Sequence, residues 1–317
     1  RVVIQGSKSS WAPVTSGIPQ GSVLGPTLFT IFVNDMPSHV VNKVMLFARD
    51  TKLYCSVPDS AAGLQQDLDS LEDWSEKWLL PFNATKCKVM HVGSRNPERE
   101  YHLNDVQLKV AEEEKDLGVV IDRRLKFHSQ TAAAISRASQ ILAVVRRSFA
   151  NIDEVTLPLL YKSMVRPLLE YGNTIWGPHS KVDQKKLERV QRRATKMVAS
   201  IKNLPYPLRL RRLELPSLYF RRRRGDMVTV YQLLHGGMDT QAEKFLTRHE
   251  SNQTRGHGWK LCKPRAKSLT RRNAFSTRVV NDWNALPAAV VTAESLTSFK
   301  ARLDRHWSSI TYDIHHP

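Results

Sequence analysis

The spacing of apolar residues changes period near residue 127, and this change limits the fold more than any other feature of the chain. Before it, short apolar runs alternate with turn signals. Residues 1–4 form a β-branched run ending at Gly6, and 24–33 is apolar enough for a buried helix. Residues 44–47 and 51–54 read as two short strands closing a tight turn. Leu64, Leu68, Leu71, Trp74 and Trp78 follow at helical spacing and stop at Pro81, while 88–92 and 117–121 have strand character, the latter opened at Gly118. After residue 127 the helical period dominates. Ile135, Ala138, Leu142, Val145 and Phe149 make one stripe, Val182, Leu187, Val190, Met197 and Val198 a second, and Leu296, Phe299, Leu303 and Trp307 a third. The expected class is α+β, with a short antiparallel sheet and packed helices over 1–125. Helical regions over 126–180 and 181–317 follow, the last interrupted by a basic loop at 247–270.

Composition supports folded domains. The chain has 317 residues, 41% of them apolar, enough for two or three hydrophobic cores. Cys55, Cys87 and Cys262 lie too far apart in sequence for a disulfide scaffold, and no run approaches the ~18 apolar residues of a membrane span. The first residues lack the apolar run of a signal peptide, and a start at Arg1 suggests a piece of something longer. Charge is unevenly placed. Residues 1–100 carry 10 basic and 10 acidic side chains, whereas 181–278 carry 25 and 7, an excess of 18 that equals the net charge of the whole chain. A phosphate polymer fits such a surface, because neutralising phosphates releases condensed counterions. An anionic membrane, an acidic protein, or plain solvation of helix faces would also account for it.

Residues 16–26 read SGIPQGSVLGP, followed by Phe29, Asn34 and Asp35, and residues 47–53 read FARDTKL. These strings resemble the reverse transcriptases of non-LTR retrotransposons, especially jockey-like and related LINE elements, whose segments run SG-x-PQGS-x-LGP-x-LF and FADDTKL. The likeness continues through FNATKCKVMHVG at 82–93, DLGVVID at 116–122, RPLLEYG at 166–172, LERVQRRATKM at 187–197, RRRRGDM at 221–227 and FSTRVVNDWNALP at 275–287. It therefore extends over essentially the full chain. The resemblance implies a partial palm at 1–125, a helical thumb at 126–180 and a basic helical C-terminal region at 181–317. It assigns Ser16, Gly17, Pro19, Gln20 and Gly21 to nucleotide and template contact, where glycines leave room for a base pair to approach the backbone. It also implies Mg²⁺, held by carboxylates that include a pair at the hairpin tip.

Here the sequence departs from the family pattern. The first tip position is Arg49, so Asp50 is the remaining metal-site carboxylate of the pair. At ~4 Å and an effective dielectric of ~20, each unit-charge interaction amounts to roughly 4 kcal/mol, here with the sign that repels a cation. The family's third carboxylate should precede SGIPQG, and residues 1–15 contain no Asp or Glu. Lys86, in the position of a proton donor to the leaving pyrophosphate, then reads better as a solvated loop lysine. No zinc spacing, Walker loop or nucleophile motif offers another chemistry.

The expectation is thus a polymerase remnant that acts on RNA and DNA by descent but does not polymerise by itself, with Mg²⁺ binding in doubt. The alternative is a non-enzymatic nucleic-acid-binding protein. It would grip phosphates through Arg192, Arg193, Arg211, Arg212, Arg221, Arg222, Arg223 and Arg224 and stack bases on Tyr219, Phe220 or Trp259. A decayed copy with no selected role is a third reading. The expected location is the nucleus or a cytoplasmic ribonucleoprotein particle, and oligomeric state is left open.

Overall fold

The computed structural model describes residues 1–13, 17, 21–57, 61–93, 95–238, 242–249 and 256–314. Its backbone separates into two units, residues 1–112 and 113–317. The division falls before the hairpin that contains DLGVVID, so that hairpin belongs with the helices that follow it.

The first unit begins with the two-residue strands β1 (Val3–Ile4) and β2 (Ser7–Lys8), paired across a turn at Gln5 and Gly6. Helix α1 (Gly25–Val33) starts with Pro26 in its first turn, where a missing N–H does no harm. The sequence predicts burial for this segment, yet α1 buries only Gly25 and Val33, with Phe29 half-buried and Leu28 and Ile31 open. Strands β3 (Lys43–Phe47) and β4 (Asp50–Tyr54) form the expected hairpin in the register Val44↔Leu53, Leu46↔Thr51 and Phe47↔Asp50. Leu46 and Leu53 pack toward Val33, Met36, Leu71 and Trp74. Helix α2 (Gly63–Lys77) supplies the last two and serves a second cluster through Leu64 and Leu68, which meet Ala84, Tyr101, Leu103 and Leu108. One helical stripe thus closes two small cores. Buried Asp67 on α2 accepts the N–H groups of Val41 and Asn42 at 2.7 and 2.8 Å and so fixes the entry into β3.

The remaining strands of this unit are short: β5 (Lys88–Val89), β6 (His102–Leu103), β7 (Val106–Gln107) and β8 (Lys109–Val110). The single antiparallel sheet expected for 1–125 is replaced, among the described residues, by separate two-stranded ladders, and β5 pairs with β8 in parallel.

The second unit opens with β9 (Glu113–Asp116) and β10 (Val119–Asp122), joined through Leu117 and Gly118 at φ +43° and +85°. Two consecutive left-handed residues make the hairpin turn whose twist matches the strands. The helices follow as α3 (His128–Ser148), α4 (Thr156–Leu160), α5 (Arg166–Glu170), α6 (Asn173–Trp176), α7 (Lys181–Thr195) and α8 (Tyr206–Arg212). Then come α9 (Leu218–Leu234), α10 (Leu269–Asn273), α11 (Phe275–Asn284), α12 (Ala288–Val291) and α13 (Leu296–His306). Ala134 and Ala138 are fully buried on α3 and let Leu187, Val190 and Ala194 of α7 approach closely. This core continues to Leu218 at the start of α9, whereas Phe220, Met227 and Val230 of α9 enter a second core with Trp283, Phe299 and Leu303. No core boundary falls at 180/181. The class is α+β, mainly helical after residue 127, as the change of period implies.

Candidate functional site

The hairpin tip follows from local geometry. Register Phe47↔Asp50 leaves Ala48 and Arg49 as the two turn residues, and Ala48 takes φ +50°, a conformation that usually selects glycine. Phe47, Ala48, Arg49 and Asp50 are all exposed. Asp35, after α1, accepts the Trp74 indole N–H at 3.0 Å and lies 3.9 Å from His39. Among the described residues, no group of three His, Cys, Asp or Glu side chains gathers to hold a metal. A lone Asp50 beside a guanidinium does not fit a pair of divalent cations. Gly17 and Gly21 take φ +81° and +83°, consistent with a loop only glycine forms easily, while Ser16, Pro19 and Gln20 lie outside the described residues. Lys86 ends a short 3₁₀ turn (Ala84–Lys86) and is exposed, as a solvated lysine would be.

The second unit corrects the reading of the arginine run. Arg221 forms a two-pronged pair with Glu170 of α5. Arg223 does the same with Asp282 of α11 at 2.9 and 2.8 Å, and Arg224 with Asp304 of α13 at 2.5 and 2.8 Å. Burial works against the charge on Arg221 and Arg223, but the carboxylate partners outweigh it and raise both pKa values. Arg222 is buried, and desolvation lowers its pKa. Three of these four residues brace α9 against its neighbours and so are not the open phosphate grip the sequence predicts.

The expected stacking residues are also engaged internally. Phe220 is buried edge-on to Trp307, Tyr219 lies under the Arg223 guanidinium, and Trp259 is sandwiched between His235 at 4.3 Å and Arg248 at 4.2 Å. Arg209, which the sequence did not single out, is buried and donates to Thr195 Oγ1 and to the carbonyls of Leu204 and Lys202. Its partners lie within 14 residues, but no local pattern distinguishes it from the exposed Arg211 and Arg212 beside it.

Of the predicted phosphate-gripping residues, Arg192, Arg193, Arg211 and Arg212 are exposed. Lys181, Lys185, Lys186, Arg189, Arg192 and Arg193 of α7, with Lys196 at its end, are exposed on the face opposite Leu187, Val190 and Ala194. Arg192 lies over the Tyr206 ring at 4.8 Å and Arg193 donates to Ser139 at 2.7 Å, contacts that steady the side chains without covering them. Arg211 and Arg212 at the end of α8 are exposed as well, Arg212 pairing with Glu154 at 2.5 Å.

The first unit thus presents Arg49 and Asp50 at an exposed hairpin tip after a Gly-Ile-Pro-Gln-Gly segment, and the second unit carries a basic face on α7. Residues 2–128 match the reverse transcriptase (RNA-dependent DNA polymerase) family. The RNA-directed DNA polymerase from mobile element jockey of Drosophila melanogaster is 33% identical over 230 residues, covering 67% of this chain and 25% of that protein. The corresponding jockey protein of Drosophila funebris is 31% identical over 235 residues, with shares of 67% and 25%. The probable RNA-directed DNA polymerase from transposon BS of Drosophila melanogaster is 30% identical over 225 residues, with shares of 66% and 24%. The chain belongs to the reverse transcriptases of non-LTR retrotransposons. It spans about a quarter of the length of these curated relatives. No solved structure matches it. Reverse transcriptases generally use Mg²⁺ and act on RNA and DNA, and no helix among the described residues is long and apolar enough to cross a membrane.

Proposed function

We propose that this chain handles RNA or DNA as part of a non-LTR reverse transcriptase but does not transfer nucleotides by itself. Residues 1–125 would be palm, 126–180 thumb, and 181–317 a nucleic-acid-holding region, acting in the nucleus or a cytoplasmic ribonucleoprotein particle. The observation that carries the reading is Arg49, exposed at the hairpin tip beside Asp50, where the family places a second carboxylate. A cation-repelling group at that point opposes metal-assisted attack on a phosphate. Primer extension by the purified chain with Mg²⁺ or Mn²⁺ should show no incorporation above a heat-killed control, and Arg49→Asp alone should not restore it. Incorporation by the unaltered chain refutes the reading.

The exposed cations of α7 support nucleic-acid holding. Affinity for single-stranded RNA should fall linearly on logarithmic axes as salt rises, with each phosphate contact contributing about 0.7 to the slope. Neutralising Arg189, Arg192, Arg193 and Lys196 to Gln together should flatten it by about 3. Point substitutions suit this test better than removal of residues 181–317, which would cut a core that runs from Val119 to Leu218. An unchanged slope removes α7 from the interface.

A further inference from the structure

We propose that the cleft between α7 and α9 is a binding site for one phosphate group, gripped by Arg222 at its base and by Lys181 and Lys185 at its rim. The inference deepens the nucleic-acid reading and rests on it for the source of the phosphate, not for the pocket.

The cleft has a volume of about 250 Å³. Lys181, Gln184, Lys185 and Glu188 line it at helical spacing on a single face of α7, Tyr219 and Arg222 line it from α9, and Ile314 completes the lining. Pockets that swallow whole small molecules run from about 300 Å³ upward, so this one suits a compact headgroup with the rest of its carrier outside.

Arg222 is only 9% exposed, and its Nη2 has no hydrogen-bond partner. A buried guanidinium is ordinarily surrounded by acceptors, as Arg209 is in the same unit. The acids that act on Arg222 electrostatically are Glu188, Asp226 and Glu170, and each has other partners. Glu170 pairs with Arg221 and Arg166, Asp226 holds Arg278 through both oxygens, and Glu188 accepts from the Tyr206 hydroxyl at 2.6 Å and from the Leu218 N–H at 3.1 Å. The guanidinium is therefore left with an uncommitted donor beside a cleft.

Glu188 is the one lining group that would repel an anion. Both of its oxygens are occupied by those two hydrogen bonds, burial raises its pKa, and Lys181 and Lys185 supply two cations on the same face of α7. Three cations converging on a small cleft favour a phosphate, which has several acceptor oxygens and more than one charge to share among them.

Isothermal titration of the full chain with inorganic phosphate at constant ionic strength tests the site. Saturable binding at one site is expected. Arg222→Met should weaken it about tenfold or more, the worth of a charge-assisted hydrogen bond. Lys181→Gln with Lys185→Gln should weaken it several-fold, and Lys267→Gln, an exposed lysine outside the cleft, should leave it unchanged. The lysine pair keeps the test decisive if Arg222→Met fails to fold. Absence of saturable binding, or equal affinity in wild type and in whichever cleft variant folds, overturns the proposal. Adenosine monophosphate and a twelve-nucleotide single-stranded RNA serve as competitors. Displacement by RNA identifies a strand phosphate as the source, and displacement by the monophosphate alone identifies a free monoester. Phosphate binding without RNA binding would uphold the pocket and defeat the nucleic-acid reading. RNA binding without phosphate binding would do the reverse.

Discussion

Replacing Arg278 by Met asks whether the arginines of the second unit hold it together. Arg278 of α11 donates through Nε and Nη2 to both oxygens of Asp226 on α9, at 2.9 and 2.8 Å. The same guanidinium reaches the carbonyls of Thr174 at 3.0 Å, Asn173 at 3.3 Å and Asn273 at 3.2 Å, so one side chain joins α6, α9 and the end of α10. The two side chains are 20% and 11% exposed. Methionine nearly preserves the volume but removes the donor from a carboxylate and from the carbonyls of Thr174 and Asn273, while the Asn173 carbonyl keeps the Gly177 N–H at 2.8 Å. Breaking a buried pair from one side costs about 3–5 kcal/mol. For a unit of this size that corresponds to a melting temperature lower by about 6–20 °C. The pH dependence is the sharper test. Burial already holds the Asp226 carboxyl above its usual pKa, against the pull of Arg278. With the folded pKa above the unfolded one, the group favours folding fully below the ordinary carboxylate range and loses that contribution as pH rises through the folded pKa. Without Arg278 the folded pKa climbs further, so the deficit should be large at pH 7 and shrink at pH 5. Thermal melts of wild type, Arg278→Met, Asp226→Asn and the double variant at both pH values measure it, and the double variant should melt above Arg278→Met. A single variant within about 1 °C of wild type, or a deficit that grows on acidification, would refute the argument.

Two other substitutions probe neighbouring points of the same unit. Gly172 sits at φ +66°, and a Cβ there would lie 2.9 Å from Val119 Cγ2, so Gly172→Ala should destabilise by about 1–3 kcal/mol in a urea titration. Changing Arg221, Arg223 and Arg224 together to Gln should lower the melting temperature while leaving the salt slope of RNA binding as it was, because their partners are Glu170, Asp282 and Asp304.

Local patterns were legible where the deciding contacts are local. FARDTKL sets a two-residue turn between alternating strands, and β3–β4 forms there with Arg49 at its tip. The stripe through Ala138, Leu142 and Val145 predicts α3, because a helix needs only its own period to reveal which face it buries. Burial of α1 was not legible, since an apolar composition specifies a helix that could be covered, whereas Leu28 and Ile31 remain open among the described residues. Nor could Phe149 be placed from its period: it extends the α3 stripe in sequence but lies at the cap, 40% exposed, after the helix has ended.

Charge shows the same limit with consequences for function. Four consecutive arginines are a strong local signal, yet the acids that neutralise three of them lie 51, 59 and 80 residues away. Those acids, and the Glu154 that pairs with Arg212, fall outside the window that holds the basic excess. Counting along the chain therefore places the excess in the correct unit and finds the exposed Arg192, Arg193, Arg211 and Arg212, but it cannot tell them from the paired Arg221, Arg223 and Arg224. Folding withdraws Arg221, Arg223 and Arg224 into α9's contacts and leaves two different kinds of cation for an outside partner. One is the open face of α7, whose affinity should vary with salt because water and ions reach it freely. The other is Arg222, shielded from solvent, whose grip on a phosphate should respond far less to added salt than α7 does. RNA bound at both would show a salt-sensitive component that α7 substitutions abolish and a residual one that Arg222→Met abolishes, so the two contributions can be separated in a single set of titrations.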